Sequence, residues 1–254
     1  MGTTETEVAS GEGTEVPGCD LVIQQDVEID ADTPLADVER IVRIEGDLDI
    51  HDTTYVDLSF LGCLEEVAGS VRIRDNAVLE SLEGAGRLTS IEPSGSSVSG
   101  ALRIWNNEVL VSLEGLDSLQ TLETLQVQSN PALSSIGLPS LEVVEWIETG
   151  GCLSSDTTQP AEGWGNNAKL TTLGGLPELR RVGFIQIIGQ EALRDITAMT
   201  ELALSGVEFG SAEFRINPQL ALDQVEAFAD AAGLETVDTC QLEDEPTICF
   251  CLPD

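Results

Sequence analysis

Residues 102–133 read LRIWNNEVLVSLEGLDSLQTLETLQVQSNPAL and contain one full repeat with the start of the next. Leu102 and Ile104 lie two residues apart, a spacing typical of a short strand with alternate side chains facing inward. After Asn107, apolar residues recur at every third position, which fits neither an α-helix nor a long strand. The pattern restarts 23 residues later, at Leu125, Val127, Asn130 and Leu133.

The Asn position of this repeat recurs along the whole chain. Its successive residues are Thr53, Asn76, Asn107, Asn130, Asn167, Gln190 and Asn217. The gaps are 23, 31, 23, 37, 23 and 27 residues, so the long ones indicate insertions at turn corners. A repeat of about 20–50 residues predicts a solenoid, in which each turn buries its apolar edge against its neighbours. We interpret the five asparagines as a structural ladder of buried amides rather than a ligand site.

Two solenoid architectures share parts of this pattern. A leucine-rich-repeat horseshoe usually places Leu two residues after Asn. Here the apolar residue falls three after it, and the spacing of three then continues where a helix-backed repeat would change period. The sequence therefore favours a parallel β-helix of about six to seven turns, and the horseshoe is the alternative.

The charge of the chain excludes some classes of partner. Its 46 acidic and 11 basic residues give a net charge of −35, which argues against binding nucleic acid or docking on anionic lipid. No stretch is apolar for long enough to span a membrane, and no signal peptide is recognisable. The motifs of hydrolases, P-loop proteins and dinucleotide-binding enzymes are missing, so we expect no catalysis, cofactor or metal. Whether the acidic segment 156–162 binds calcium stays open.

An even number of cysteines without a CxxC pair is typical of disulfides formed in an oxidising compartment. The sequence therefore predicts a secreted or cell-surface protein whose signal sequence is absent from this chain. The pairing is not determined: Cys19 with Cys63 would tie the N-terminal segment to the first turn, and Cys240 with Cys249 or Cys251 would staple the other end. The candidates are Cys19, Cys63, Cys152, Cys240, Cys249 and Cys251.

The continuous repeat predicts one domain over residues 19–254, preceded by a disordered acidic leader over 1–18. An N-terminal cap over 19–45 contains a strand at 21–23 and a short helix over 35–41, after Asp32 and Pro34. The segment 221–254 consists of an amphipathic helix, over 221–232, and a Cys-rich tail. These helices are expected to cap the two ends of the stack. Three insertions are predicted as loops, at 92–100, 150–166 and 203–211.

The segment VDLSFLGCLEEVAGSVRI, residues 56–73, resembles the receptor L domain of the epidermal growth factor and insulin receptor families. Later units of the form LxIxxNxxLxSLEGL are similar to its bacterial and fungal cell-surface versions, and the resemblance covers roughly residues 19–254. It implies a right-handed β-helix with helices and disulfides at its ends, acting as a non-catalytic binding or scaffold module. The insertions lengthen this domain, and no kinase, membrane span or cysteine-rich module accompanies it, so the receptors' signalling role and growth-factor partners are not expected to carry over.

Strand residues between the inward positions face outward, and several basic ones fall on one ribbon. We predict a ligand-binding face for a protein or glycan partner, made of Arg72, Arg74, Arg103, Trp105, Gln126 and Gln128. In the simpler interpretation, the arginines pair with acidic neighbours on an exposed sheet. Two other functions remain: a structural envelope or coat protein without a discrete ligand, and a polysaccharide-active β-helix enzyme using carboxylate pairs. The oligomeric state is undetermined.

Overall fold

A computed structural model describes residues 18–92, 100–150 and 165–235, together with 237 and 239. Within these residues the chain is a parallel β-solenoid of about eight turns. In the first half, each turn contributes one short strand to each of two parallel stacks, called here the first and second sheets, which the long strands of the second half join into one 12-stranded sheet. The first sheet contains β1 (Leu21–Ile23), β3 (Ile41–Ile44), β5 (Glu66–Val67) and β7 (Ser90–Ile91). The second contains β2 (Val27–Ile29), β4 (Leu48–His51), β6 (Val71–Arg74) and β8 (Ala101–Trp105).

In the second half, long strands run through both sheets without a break. These strands are β9 (Thr121–Gln128), β10 (Val143–Gly150), β11 (Arg181–Ile188) and β12 (Glu208–Arg215). The start of β9 pairs with β7 at Thr121, and its remainder pairs with β8. Each of these strands belongs to both sheets, so it bends at the corner between them. At the bend, two successive residues lie outside the core, such as Glu145 and Trp146 in β10.

Inward side chains of successive turns lie in register and form the core. One such row is Ile29, Ile50, Ile73, Ile104, Val127, Thr149, Ile187 and Phe214. The third side of each turn explains the spacing of three. There the backbone makes tight i to i+3 hydrogen bonds, such as that from the Leu119 amide to the Leu116 carbonyl at 3.2 Å. Each three-residue step then returns one leucine to the core.

The prediction of a parallel β-solenoid is confirmed. The predicted number of turns was slightly low, because it was counted from Thr53 and left out the turn formed by β1 and β2. The horseshoe alternative does not fit, because most turns have short tight turns, not a helix, on the third side.

The helices differ in part from the sequence-based expectations. The N-terminal helix α1 is only Leu35–Val38, and Ile41 already belongs to β3. The segment expected as a cap therefore contains a complete turn of the solenoid. At the other end, α3 (Leu222–Ala232) packs Phe228 edge-on against Phe209 and Phe214, with ring centroids 5.0 and 5.9 Å apart.

The third predicted insertion, over 203–211, is wrong as a loop. Helix α2 (Thr197–Ser205) ends at Gly206, whose φ of 102° is the left-handed conformation that glycine tolerates at a helix end. The strand β12 begins two residues later, at Glu208. The other two insertions fall mainly on residues 93–99 and 151–164, outside the described residues.

One disulfide joins Cys19, just before β1, to Cys63, just after a 3-10 helix at Ser59–Leu61. The Cα atoms of the two cysteines are 5.3 Å apart. It links two segments that are 44 residues apart in sequence, which restricts the unfolded chain. The candidates Cys152, Cys240, Cys249 and Cys251 lie outside the described residues, as does most of the predicted leader.

A ladder of buried amides runs along one corner of the solenoid. The Asn107 carbonyl oxygen Oδ1 accepts from the backbone amide of Asn76 at 3.2 Å, and its Nδ2 donates to the Ile73 carbonyl at 3.0 Å. Asn130 repeats this geometry toward Asn107 and Ile104. The ladder asparagines are completely buried: Asn76, Asn107, Asn130, Asn167 and Asn217.

Gln190 continues the ladder with a longer side chain. Its Oε1 accepts from the backbone amide of Asn167 at 3.1 Å, but its Nε2 donates to Ile188 in its own turn at 3.2 Å. Gly150 leaves room for this side chain, because a Cβ there would lie 2.4 Å from Gln190 Nε2 and clash with the Ile188 carbonyl. The glutamine and the glycine of the preceding turn are therefore sterically matched.

We expect Asn107→Ala to lower the free energy of unfolding by about 3 kcal/mol, because the Asn76 amide and the Ile73 carbonyl lose their buried partner. Urea denaturation measures the change. The exposed neighbour Glu108 provides a control, since Glu108→Ala is expected to stay within about 0.5 kcal/mol of the unaltered protein. Equal stabilities of the two variants would contradict a structural ladder.

The corner requires a left-handed backbone at the residue before most ladder positions. Asp52, Asp75, Asn106 and Ser129 have φ between 50 and 57° there, and Ile216 has φ of 55°. Asp and Asn tolerate this conformation, whereas a β-branched side chain is strained in it. Ile216 is therefore a β-branched residue at a position whose left-handed backbone favours Asp or Asn.

Replacing Ile216 by asparagine is expected to stabilise the protein by about 1 kcal/mol, because strain is relieved at a half-exposed position. A shift of the thermal midpoint measures the gain. The variant Ile216→Val keeps the β-branch and the strain, so it is expected to show no such gain. A midpoint for Ile216→Asn at or below that of the unaltered protein would rule out the proposed strain.

Candidate binding face

We call the outward side of the second sheet, from β2 to the second halves of β9–β12, the outer face. The predicted ligand-binding residues lie on it in two adjacent columns set by the strand register. Arg72, Arg103 and Gln126 occupy one column, and Arg74, Trp105 and Gln128 occupy the other. The fold therefore brings together six residues spread over three turns.

Two arginines of the outer face, Arg72 and Arg74, form ion pairs with carboxylates of the preceding turn. Arg72 Nη2 lies 2.9 Å from Asp47 Oδ2, and Arg74 Nε lies 3.1 Å from Asp49 Oδ1. Arg74 also contacts Asp75 at 3.1 Å. Arg72 and Arg74 therefore pair with acidic neighbours, as the simpler interpretation of the sequence predicted. Their charges are matched by carboxylates and do not form an isolated positive patch.

Trp105 lies beside this charged row. The guanidinium carbon of Arg74 is 6.0 Å from the centre of the Trp105 ring, at the outer limit of a cation–π contact. Burial lowers the pKa of the Arg74 guanidinium, but the hydrogen bonds and charges of Asp49 and Asp75 outweigh it and raise the pKa. Arg74 is consequently held in place and always charged, and Trp105 remains half-buried beside it.

The two glutamines are already engaged in hydrogen bonds on the outer face. Gln126 Nε2 donates to Glu148 Oε2 at 3.1 Å, and Gln128 Nε2 donates to Glu148 Oε1 at 2.6 Å. Gln128 is only 3% exposed, so its side chain lacks the access that a ligand-contacting residue needs. Gln186 of β11 repeats the arrangement two turns later by donating to Glu213 of β12 at 2.6 Å.

His51, next to Arg74 in the register, joins two carboxylates. Its Nε2 lies 2.7 Å from Glu28 Oε1, and its Nδ1 lies 3.0 Å from Asp52 Oδ2. The hydrogen bond with Asp52, followed by that with Glu28, raises the pKa of the imidazole, although burial and the charge of Arg74 oppose the shift. Only the protonated ring can donate to both carboxylates at once.

An aromatic pair that was not predicted from the sequence lies on the second half of the outer face. Trp146 is 51% exposed, and its ring meets that of Phe184 at a centroid distance of 4.7 Å and an angle of 62°. The two residues are neighbours in the register of β10 and β11. Trp146 lies two positions before Glu148, and Phe184 two positions before Gln186, so the alternation of inward and outward residues along each strand places both rings on the outer face.

Neither a metal site nor a membrane-spanning helix is found in the part of the chain that the structure describes. Three or more His, Cys, Asp or Glu side chains do not come together there in a way that could hold an ion. Within the same residues, every helix is too short or too polar to cross a bilayer. The acidic segment 156–162, considered for calcium, lies outside the described residues.

Part of this solenoid matches a family model that suggests a receptor-type ligand-binding module. Residues 14–137 match the Receptor L domain family, and this part of the chain belongs to that family. Its members are extracellular, non-catalytic ligand-binding domains. Neither a curated protein nor a solved structure matches the chain significantly. Beyond the matched residues, β10, β11 and β12 continue the same stack in register.

The raised pKa of His51 predicts a pH-dependent contribution to stability. This contribution is complete below the unfolded-state pKa, near 6.5, and is lost as the pH rises through the higher folded-state value. Urea midpoints measured from about pH 5 to about pH 9 should therefore fall less in His51→Gln than in the unaltered protein. Parallel pH profiles for the two proteins would contradict this role of His51.

Proposed function

We propose that the protein is a non-catalytic recognition or adhesion module, secreted or displayed at the cell surface, which binds a protein or glycan partner on its outer face. In this proposal, residues 19–254 form one domain. The function of the matched family and the disulfide between Cys19 and Cys63 support it. The disulfide is consistent with an oxidising compartment.

The observation that carries the proposal is the regular presentation of side chains on the outer face. Parallel pairing places equivalent residues of successive turns side by side, so a flat surface extends over several strands. Charged and aromatic side chains meet on it at Arg74 and Trp105, and a second aromatic group lies at Trp146. Arginine and tryptophan are frequent hot-spot residues of interfaces, because they combine a large contact area with directional hydrogen bonds.

The pairing of Arg74 with Asp49 also favours a recognition surface over a simple charged patch. A guanidinium held by a carboxylate is preoriented, so a partner that contacts it loses less conformational entropy on binding. The same pairing reduces the net positive charge. Recognition on this half of the face is therefore expected to depend on shape and hydrogen bonding as much as on charge.

Protein and glycan arrays test the proposal. The folded, oxidised protein is compared with the triple variant Arg74→Ser, Arg103→Ser and Trp105→Ser. Selective binding that falls at least ten-fold in the variant is expected, because a well-packed aromatic or arginine side chain contributes about 2 kcal/mol or more to an interface. The affinities of the positive array members are then measured in solution.

A matched control separates the local effect from the loss of charge. The double variant Arg40→Ser and Arg87→Ser also removes two positive charges, but its ion pairs with Asp20 and Glu65 lie away from the outer face. It is expected to bind as the unaltered protein does. If the control loses binding equally, or if the folded protein binds no array member, the recognition role of this face is wrong.

A further inference from the structure

The aromatic pair of Trp146 and Phe184 is the most exposed aromatic surface among the described residues. Half of Trp146 is accessible, although the chain buries most of its large apolar side chains completely. Phe184 supports the indole from the next strand by the edge contact at 4.7 Å. The ring is thus held in one orientation while much of its surface stays available.

Two glycines lie at the corner of the solenoid next to this pair. A Cβ at Gly183 would lie 2.7 Å from the Glu145 carbonyl oxygen and 2.8 Å from its carboxylate Oε2, so no larger residue fits without moving the backbone. Gly210 is restricted by the Gly183 carbonyl. In the register, these glycines follow Glu145 and lie next to the aromatic pair. No side chain projects from either glycine toward the indole, and the nearest carboxylate on this corner is that of Glu145.

Charge limits which ligands can bind the pair of Trp146 and Phe184, which we call the Trp146–Phe184 platform. The chain carries a net charge of −35, and Glu145 and Glu148 lie near Trp146 in its own strand. Arg181 pairs with Glu145 at 3.0 Å, so the local negative charge comes mainly from Glu148 and from the overall field of the protein. An anionic ligand would be repelled, whereas a cation is attracted both by the protein's overall field and by the negative face of the indole ring. The platform and its surroundings are complementary to positive charge.

We propose that the Trp146–Phe184 platform binds a basic segment of a protein partner, with an arginine or lysine side chain placed on the indole of Trp146. This inference rests on the proposed recognition function and specifies the chemistry of the partner. The overall negative charge accelerates the approach of the basic segment, and the fixed aromatic ring provides the short-range contact.

A neutral sugar is a less suitable occupant of the same platform. Sugar rings stack on tryptophan, but their hydroxyl groups also need polar partners with free hydrogen-bonding capacity. Each amide nearest the platform already uses one N–H within the sheet, because Gln126 donates to Glu148 and Gln186 donates to Glu213, so less of its hydrogen-bonding capacity is left for a sugar. A cation on the indole needs no such partners.

Titration calorimetry with a short peptide of alternating glycine and arginine tests the proposal. The control peptide replaces every arginine with citrulline, which has nearly the same shape but no charge. We expect the arginine peptide to bind at low salt and more weakly at high salt, because screening reduces the attraction. The citrulline peptide should not bind.

Two variants of Trp146 locate the contact. Trp146→Ala and Trp146→Leu should both weaken arginine-peptide binding roughly five-fold to ten-fold, the second because leucine keeps the apolar bulk but lacks the ring face. Leu204→Ala, which removes an exposed apolar side chain of α2 rather than of the outer face, is the matched control and should bind the peptide normally. Unfolding midpoints confirm that each variant is folded.

Three results would overturn the proposal: no binding of the arginine peptide, equal binding of the citrulline peptide, or full binding by folded Trp146→Leu. None of them decides the recognition function itself. That function fails only if the arrays yield no partner whose binding depends on the outer face. A partner that needs Arg74 and Trp105 but not Trp146 would keep the function and reject this assignment of its chemistry.

Discussion

The amide ladder is the interaction on which the solenoid depends. At each corner the chain leaves the second sheet, and backbone groups there cannot be satisfied by regular strand pairing. A buried asparagine such as Asn107 fills this gap by accepting from the preceding ladder amide and donating to the carbonyl of Ile73. Asparagine thus satisfies the backbone groups at the corner in successive turns, and its recurrence determines which residues of neighbouring turns lie side by side.

The register set by the ladder also determines the surface. Because every strand pairs with its equivalent in the next turn, a residue facing outward in one turn is flanked by the outward residues of its neighbours. Arg72 thereby meets Arg103 along the column, while Asp47 of an adjacent column neutralises it. The outer face combines paired charges in its first half with an aromatic platform in its second, and both follow from one regular backbone.

Much of the fold could be predicted from the spacing of residues along the chain. The step of two before Asn107 and the steps of three after it reflect strand geometry and tight turns, which are local properties. The first turn was missed because β1 and β2 lack the asparagine signature, and α2 was missed because its end, residues 203–205, was assigned to a predicted insertion. In both cases the repeat pattern was not recognised in the sequence, although the segment contributes buried residues to the core of the solenoid.

The sequence by itself determined the class of fold, the position of the buried amides and the alternation of inward and outward residues, because each depends on periodicity that a linear chain displays directly. Only the tertiary structure decided which outward side chains are accessible. Gln128 faces outward yet is covered through its bond to Glu148, whereas Trp146 stays exposed beside Gly183. Accessibility depends on contacts between turns that lie more than 20 residues apart, and no pattern within one turn specifies them.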